Sequence, residues 1–200
     1  MRKLFVAFMA LCTVCASQTF AQKKVELQHE VHAGLGVSHL RGTNSTGKAG
    51  FTAGWKAEYE LPFITGMFVN GGIDLNQKGY RANGNRTNMF YANIPIHLGY
   101  RYDFNKDWSA GAELGPYFGA GLGGKKRGHD NSGQFHKQGI FANDGFNAKR
   151  FDWGIGFHLS TIYKNKYKVG MGFDWGCYDI SPDGSGSKNF TFSLITGYYF

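Results

Sequence analysis

The sequence predicts an all-β fold, a single antiparallel transmembrane β-barrel of about eight strands with short periplasmic turns and longer extracellular loops. Apolar residues recur at every second position over stretches of roughly ten residues, which is the period of a strand with one apolar and one polar face. Turns or polar segments separate these stretches, and no useful length of the chain has the 3.6-residue period of a helix. The chain is also rich in glycine (30 residues) and in aromatic residues (16%).

Each strand is predicted from its own alternation. In the second strand, Phe51, Trp55 and Tyr59 alternate with Lys56 and Glu58. The predicted strands cover, in order, residues 29–39 (Val31 to Val37 on the apolar face), 49–60 (Phe51 to Tyr59), 66–78 (Met67 to Leu75), 89–102 (Phe90 to Tyr100), 107–120 (Trp108 to Phe118), 150–163 (Phe151 to Leu159), 166–178 (Tyr167 to Trp175) and 190–200 (Phe190 to Phe200). Pro95 and Pro116 fall inside two strands, where we expect local bulges because proline lacks a ladder donor.

The connections alternate in length. Residues 61–64, 103–106 and 164–166 are predicted as tight turns, whereas 41–48, 79–88, 121–149 and 179–188 are longer and polar. Short turns on one side and long loops on the other are typical of an outer-membrane barrel, with the turns in the periplasm. An even number of strands places both chain ends on the periplasmic side.

The composition of the two faces predicts which one meets lipid. A lipocalin-like soluble barrel has the same period with its apolar face inward. Here the polar faces are rich in glycine, which suits the narrow interior of an eight-stranded barrel. The apolar faces carry the predicted lipid-facing aromatic girdle, Trp55, Trp108, Trp153 and Trp175. We therefore expect a membrane barrel.

The interior is predicted to hold a polar network. Its members are the charged residues on the polar faces: Glu30, Lys56, Glu58, Asp74, Arg101, Glu113, Asp152, Lys168 and Asp174. These charges could line a selective pore or a proton path, or they could form a plug of ion pairs that satisfies buried charges and fixes strand register. We favour the plug, so any conductance is expected to be small.

The N-terminus predicts export. Residues 1–21 combine Arg2 and Lys3, an apolar run and a small-residue cleavage site at Ala21, which is typical of a signal peptide, and residues 22–200 form the barrel domain. The alternatives are a membrane anchor, for which the run is too short, and a lipoprotein, for which the residues before Cys12 and Cys15 fit poorly. The mature chain keeps one cysteine, Cys177, and a mild positive charge.

Several segments of the chain resemble a known family, the PorT-like small outer-membrane β-barrel proteins of Bacteroidetes. The matching segments are residues 71–80, 94–100, 115–121 and 194–200, and the similarity extends over nearly all of the mature chain. The resemblance implies outer-membrane localisation, about eight strands and a C-terminal assembly signal, Tyr198 and Phe200, read by the barrel assembly machinery. It implies no single activity, although it suggests an accessory role in a secretion or transport assembly of the type IX kind.

No segment predicts a catalytic, cofactor or metal site. Residues 42–48 match the first seven positions of a phosphate-binding P-loop, but Ala49 stands where Ser or Thr should hold magnesium, and a strand follows instead of a helix. His39, His129 and His136 lie near the extracellular rim, where some small barrels carry hydrolase sites, yet nothing places a nucleophile beside them. Two histidines seven residues apart make no closed set of metal ligands.

The longest predicted loop suggests a surface contact. It carries Lys125, Lys126, Arg127 and Lys137, and such clustered cations suit anionic lipid headgroups, surface glycans or a partner protein. The plainer alternative is a solvated loop. Expected partners are thus outer-membrane lipid, the assembly machinery and an envelope protein or glycan, with no nucleic acid. We expect a non-enzymatic envelope or surface-interaction protein; the alternatives are the accessory role above and a hydrolase at the rim.

Overall fold

The computed structural model describes residues 27–82, 84–129, 135–141 and 147–200, which form nine strands. The strands are β1 Leu27–Arg41, β2 Thr46–Glu60, β3 Met67–Ala82, β4 Asn85–Asp103, β5 Trp108–His129, β6 Phe135–Gly139, β7 Phe151–Tyr163, β8 Tyr167–Gly176 and β9 Lys188–Tyr199. The predicted signal peptide lies outside the described residues. Within them, no helix has the length and apolar character needed to cross a membrane.

Eight of the strands close into an antiparallel barrel. Each pairs with its neighbour in the order β1, β2, β3, β4, β5, β7, β8, β9, and β9 pairs back with β1, from Glu30 opposite Tyr199 to Arg41 opposite Lys188. The short β6 lies outside this cylinder and pairs with the last five residues of β5. The predicted eight-stranded antiparallel barrel is confirmed.

The barrel buries its polar residues and exposes its apolar ones. The exposed fraction is 74% for Leu35 and 66% for Val169, but 3% for Lys56 and 2% for Glu113. A water-soluble barrel shows the opposite arrangement, since apolar burial drives its folding. The outer surface is therefore the one suited to lipid.

The two ends of the barrel differ, and we name them by what they carry. The terminus end holds both ends of the described chain and the connections 61–66, 104–107 and 164–166. The opposite end is the cap end, and it holds what we call the cap: the ends of β1 to β5 beyond the apolar surface, β6, and the connecting residues 140–141, 147–150 and 177–187.

The prediction of two long loops at the cap end is wrong. In place of loops at 41–48 and 79–88, the structure has connections of only residues 42–45 and 83–84, because the flanking strands continue. The 121–149 segment likewise begins as strand, since β5 runs to His129 and reaches 22 residues. A strand needs only about 9–11 residues to cross a membrane. β3, β4 and β5 therefore continue well beyond the apolar surface into the cap.

The prediction of bulges at Pro95 and Pro116 is also wrong. The β4–β5 register is the same at Pro95, opposite Tyr117, as at Leu98, opposite Leu114, and the β5–β7 register runs unbroken through Pro116. Because a strand residue directs its N–H toward one neighbour, each proline removes one hydrogen bond without requiring an inserted residue. The register shifts lie elsewhere, at Phe90/Tyr91 of β4 and at Gly47/Thr52 of β2.

Glycine allows the strands to approach one another within the narrow lumen. At Gly115 of β5, an added Cβ would overlap the carbonyl oxygen of Ile96 and lie 2.8 Å from the Cα of His97. Both obstacles are backbone atoms, so no side-chain rotation can relieve the overlap. At Gly123 of the same strand, an added Cβ meets nothing within 4 Å.

These two glycines allow a matched test of interior crowding. We expect Gly115→Ala to lower the free energy of unfolding by about 1–3 kcal/mol, because the overlap forces the backbone to shift. Gly123→Ala is the control and is expected to change it little. Urea titration in lipid vesicles, followed by tryptophan fluorescence, measures both variants. Equal effects would contradict this explanation of the glycine-rich inner face.

Candidate functional site: a charged lumen under an ordered cap

The lumen is filled by ion pairs arranged in successive layers along the barrel. At the terminus end, Arg101 of β4 donates from Nη2 to Glu58 Oε1 of β2 at 2.6 Å. The hydroxyl of Tyr199 lies 3.4 Å from both groups. This layer links three strands around the mouth of the barrel.

The next layer contains two lysines and two glutamates. Lys168 Nζ donates to Glu113 Oε1 at 2.6 Å and to Glu30 Oε2 at 3.0 Å. Lys56 Nζ lies 3.4 Å from Glu113 Oε2, which also accepts from Asn70 at 2.9 Å. All five side chains are buried, so each charge is compensated inside the protein rather than by solvent.

Three histidines occupy the middle of the lumen. His32 Nε2 lies 3.1 Å from Asp74 Oδ1, and His158 Nε2 lies 3.4 Å from Asp174 Oδ1. The rings of His97 and His158 meet edge to face, with their centroids 4.9 Å apart. In this way Asp74 and Asp174, whose nearest partners are not lysines, lie against imidazoles.

Among the residues that the structure describes, His97, His158 and Glu113 form a group that could hold a metal ion. One potential ligand atom from each lies within 4.8 Å of the others. Both oxygens of Glu113, however, already contact lysine ammonium groups, which repel a divalent cation. The donor set therefore suits the ion-pair network better than a metal.

The last charged layer lies under the cap. Lys78 Nζ donates to Asp152 Oδ2 at 3.0 Å, and Asn189 donates to the same oxygen at 2.8 Å. The ammonium also lies over the rings of Tyr117 and Tyr91, at 4.7 and 5.1 Å from their centroids. Lys78 and Asp152 are 1% and 0% exposed, which makes this the most enclosed ion pair of the lumen.

An apolar cluster covers this layer at the cap end. Its buried members, the cap cluster, are Leu40, Tyr80, Met89, Tyr91, Ile140, Phe141, Ala148 and Ile180. Backbone hydrogen bonds connect the cap segments, from Ile140 to Gly124 (3.1 Å), from Ala148 to Ile140 (2.8 Å) and from Lys149 to Ile180 (3.0 Å). The cap thus contains a small packed core over the cap end of the lumen, and beside it lies a cavity of 340 Å³ that the 181–187 segment helps to line.

The structure places the nine charges of the predicted interior network on the inner face. The network also includes residues outside the predicted list of charges: Lys78, Asn70, Asn189 and three histidines of the inner face, of which His97 and His158 face inward as the sequence predicts. Lys78 has the inward parity of β3, but it stood at the predicted end of that strand. The predicted strand already contained Lys78, so its even spacing from Asp74 was the signal that could have assigned it to the network.

The tryptophans of the predicted girdle divide between the two ends. Trp55 stacks on His29 and Trp108 packs on Tyr163 toward the terminus end, whereas Trp153 and Trp175 lie toward the cap end. Each faces outward and is at least partly exposed. The C-terminal pair also faces outward, with Tyr198 39% and Phe200 65% exposed.

The predicted contact residues lie on strands rather than in a loop. Lys125, Lys126 and Arg127 belong to β5, and Lys137 belongs to β6. The P-loop-like segment is a turn followed by β2, and Lys48 donates to the carbonyl of Ala49 at 3.1 Å. This geometry offers no helix N-terminus for phosphate.

The rim histidines show no catalytic arrangement in the part of the chain that is described. His39 packs its ring on Phe190, with centroids 5.0 Å apart. His136 is exposed on β6 and His129 ends β5. In the interior, His158 is hydrogen-bonded to the carboxylate of Asp174 and not to a hydroxyl group that could act as a nucleophile.

The Lys78–Asp152 pair provides a stability test. We expect Lys78→Met to lower the free energy of unfolding by about 3–5 kcal/mol, because it leaves a fully buried carboxylate without its cation. Adding Asp152→Asn should restore part of the loss, whereas Lys106→Met, at an exposed turn, should change little. Urea titration in vesicles measures all of them. Additive effects of the two lumen substitutions would contradict the pairing.

The 177–187 loop gives a pH prediction. The N–H of Ser181 donates to Asp179 Oδ1 at 3.0 Å and that of Gly186 to Oδ2 at 2.9 Å. These bonds, that of Ser181 first, hold the pKa of the Asp179 carboxyl below its usual value. Their contribution to loop order is therefore complete above the usual aspartate pKa and is lost as the pH falls through the lowered one.

The Gly186 amide proton reports this titration by NMR. Its chemical shift should change with a midpoint below the usual aspartate pKa, and Asp179→Asn should abolish the change. A midpoint at or above the usual value would show that the carboxylate does not hold the loop.

Comparison with known proteins agrees with this architecture. A family model described as outer membrane protein beta-barrel domain matches residues 6–200. Neisserial surface protein A (NspA) is similar in structure, with a TM-score of 0.51 at 10% identity, covering 88% of this chain and 98% of that one. The outer membrane enzyme PagL has a TM-score of 0.51 at 10% identity, covering 84% and 97%.

Ail, the attachment invasion locus protein of Yersinia pestis, has a TM-score of 0.48 at 16% identity, covering 88% of this chain and 99% of that one. No curated protein matches the sequence. At these identities the structural similarities show the fold alone, whereas the family model extends over nearly the whole chain. The chain belongs to the family of outer membrane protein β-barrel domains.

Proposed function

We propose that this protein is a non-enzymatic outer-membrane protein whose barrel is a closed anchor and whose cap carries its interactions at the cell surface. The observation that carries the proposal is the filled lumen. The Lys78–Asp152 layer and the cap cluster stand between the interior and the cap end.

Little free space remains among the charged layers of the lumen. The cavity among the charged layers, lined by residues such as Glu30, Lys56 and Asp174, has a volume of 30 Å³. Such a volume holds only about two or three water molecules. A path for hydrated ions or solutes would require several ion pairs to separate at once, which argues against transport as the main role.

The cap is built to present a surface. It combines strands that continue from the barrel with a packed cluster of its own. Ordered extensions of this kind hold side chains in fixed positions, which favours recognition over a flexible loop. An envelope protein or a surface glycan would meet the protein there, while the exposed Tyr198 and Phe200 would meet the assembly machinery during insertion.

Two other roles receive less support. The accessory role that the PorT-like resemblance implies would also use the cap, but no described feature favours it specifically. A rim hydrolase would need a nucleophile beside a base, and His39 at the rim packs its ring against Phe190.

Two measurements test the proposal. In planar lipid bilayers we expect the refolded protein to give no stepwise ion current, because the lumen is blocked. In intact cells, on a Cys177→Ser background, Lys137→Cys in the cap should react with a membrane-impermeant maleimide. Lys106→Cys at the terminus end is the matched control and should react only after the outer membrane is permeabilised.

Steady conductance through correctly folded barrels would contradict the closed anchor. Labelling of Lys106→Cys but not of Lys137→Cys in intact cells would contradict the surface cap. Heat-modifiable gel mobility verifies that each variant is folded before either result is interpreted.

A further inference from the structure

Four cations lie side by side on the outer face of the cap. Arg81 of β3 is directly opposite Arg86 of β4, Arg86 is opposite Arg127 of β5, and Arg127 is opposite Lys137 of β6. All four side chains are exposed. We call this set the cation row. Arg81 and Arg86 fell in a predicted loop, so their alignment becomes apparent only from the strand register.

The cation row faces the same way as the lipid-facing residues. Arg81 is six residues from Leu75 in β3, and Arg86 is four residues from Phe90 in β4. Even spacing along a strand keeps side chains on one face, and Leu75 and Phe90 are 51% and 42% exposed. The row therefore points sideways from the barrel, toward whatever surrounds it in the membrane plane, rather than up toward a ligand above the cap.

Its height above the apolar surface matches a headgroup layer. Four residues of strand from Phe90 to Arg86 span about 13 Å. At the tilt usual for such barrels, that is roughly 10 Å along the membrane normal. The cations thus lie beyond the hydrocarbon, at the level of the polar part of the outer leaflet.

The row has no compensating charge in the described part of the cap. The carboxylates there, Asp179 and Asp183, accept hydrogen bonds from N–H groups of their own loop. Like charges directly opposite each other destabilise a sheet. Three such pairs, side by side, destabilise this part of the sheet in the isolated protein. Anions bound from outside would reduce the repulsion between them.

We propose that the cation row binds the phosphate groups of outer-leaflet lipopolysaccharide, and this inference rests on the surface role proposed above. Three of the four residues are arginines, whose planar guanidinium matches two phosphate oxygens at once. Lys125, opposite Asn88 and two residues nearer the membrane than Arg127, extends the positive surface toward the lipid. A lateral row at headgroup height fits a lipid that surrounds the barrel better than a soluble polymer that approaches from above.

The test uses a charge-matched pair of variants. Arg86→Gln, Arg127→Gln and Lys137→Gln are combined in one variant, and Lys106→Gln, Lys164→Gln and Lys166→Gln, all at the terminus end, in the control. Binding of fluorescently labelled deep-rough lipopolysaccharide to the folded proteins in detergent micelles is measured by anisotropy. We expect the row variant to raise Kd by about tenfold or more, since three charge-assisted contacts are lost, and the control to change it less than twofold.

Further arms identify the source of the phosphate. Lipopolysaccharide stripped of phosphate should bind the unsubstituted protein as weakly as intact lipopolysaccharide binds the row variant. Inorganic phosphate at millimolar concentration should compete poorly. Equal binding of stripped and intact lipid, equal loss in both variants, full competition by free phosphate, or tighter binding of a sulfated polysaccharide would each overturn the proposal.

Failure here is separable from failure of the proposed function. A non-conducting barrel with a labelled cap that ignores lipopolysaccharide would overturn only the cation-row inference. A conducting barrel that binds lipopolysaccharide through the row would overturn only the closed anchor.

Discussion

Closure of the sheet by the ladder between β1 and β9 is the constraint on which the rest of the structure depends. Twelve residue pairs join these strands, so the barrel wall has no open edge. In lipid no water is present to satisfy unpaired N–H and C=O groups, and closure satisfies them within the sheet. Closing after eight strands also fixes a lumen barely wide enough for side chains. Every inward residue must therefore be glycine, pack tightly, or pair its charge with another inward residue.

The ion pairs are best understood as a consequence of that lumen. Buried salt bridges often contribute little net stability, because desolvation offsets their attraction. Once charges face inward, however, each needs a partner on another strand, and a one-residue slip would turn it toward lipid. Lys168 of β8 contacts Glu30 of β1 and Glu113 of β5, so one ammonium connects three walls of the barrel. The network thereby destabilises incorrect registers by more than it stabilises the correct one.

How much of this was predictable depends on where hydropathy alternates. Within the membrane one face is apolar, so the period of two identifies the strands and the inward parity of residues such as Glu113 and Asp152. Beyond the membrane both faces are polar, so no alternation marks the last residues of β3, up to Ala82, or the first residues of β4, from Asn85. The same loss of signal hid the alignment of Arg81 with Arg86. Pairing partners across strands depend on register, which no single segment encodes, and the proline bulges were wrong because a missing donor does not by itself insert a residue.

The continuation of the strands beyond the membrane has a physical consequence for the cap. In a flexible loop, like charges move apart and their repulsion fades, whereas a hydrogen-bonded ladder holds opposite residues about 4.5–5.5 Å apart. Arg86 and Arg127 are fixed in this way by the same ladder that continues down into the barrel wall. The backbone therefore cannot carry these residues apart, and an anion that binds them has to order only their side chains and not the chain that carries them. The closed barrel thus also supplies the rigidity on which the proposed recognition at its outer rim depends.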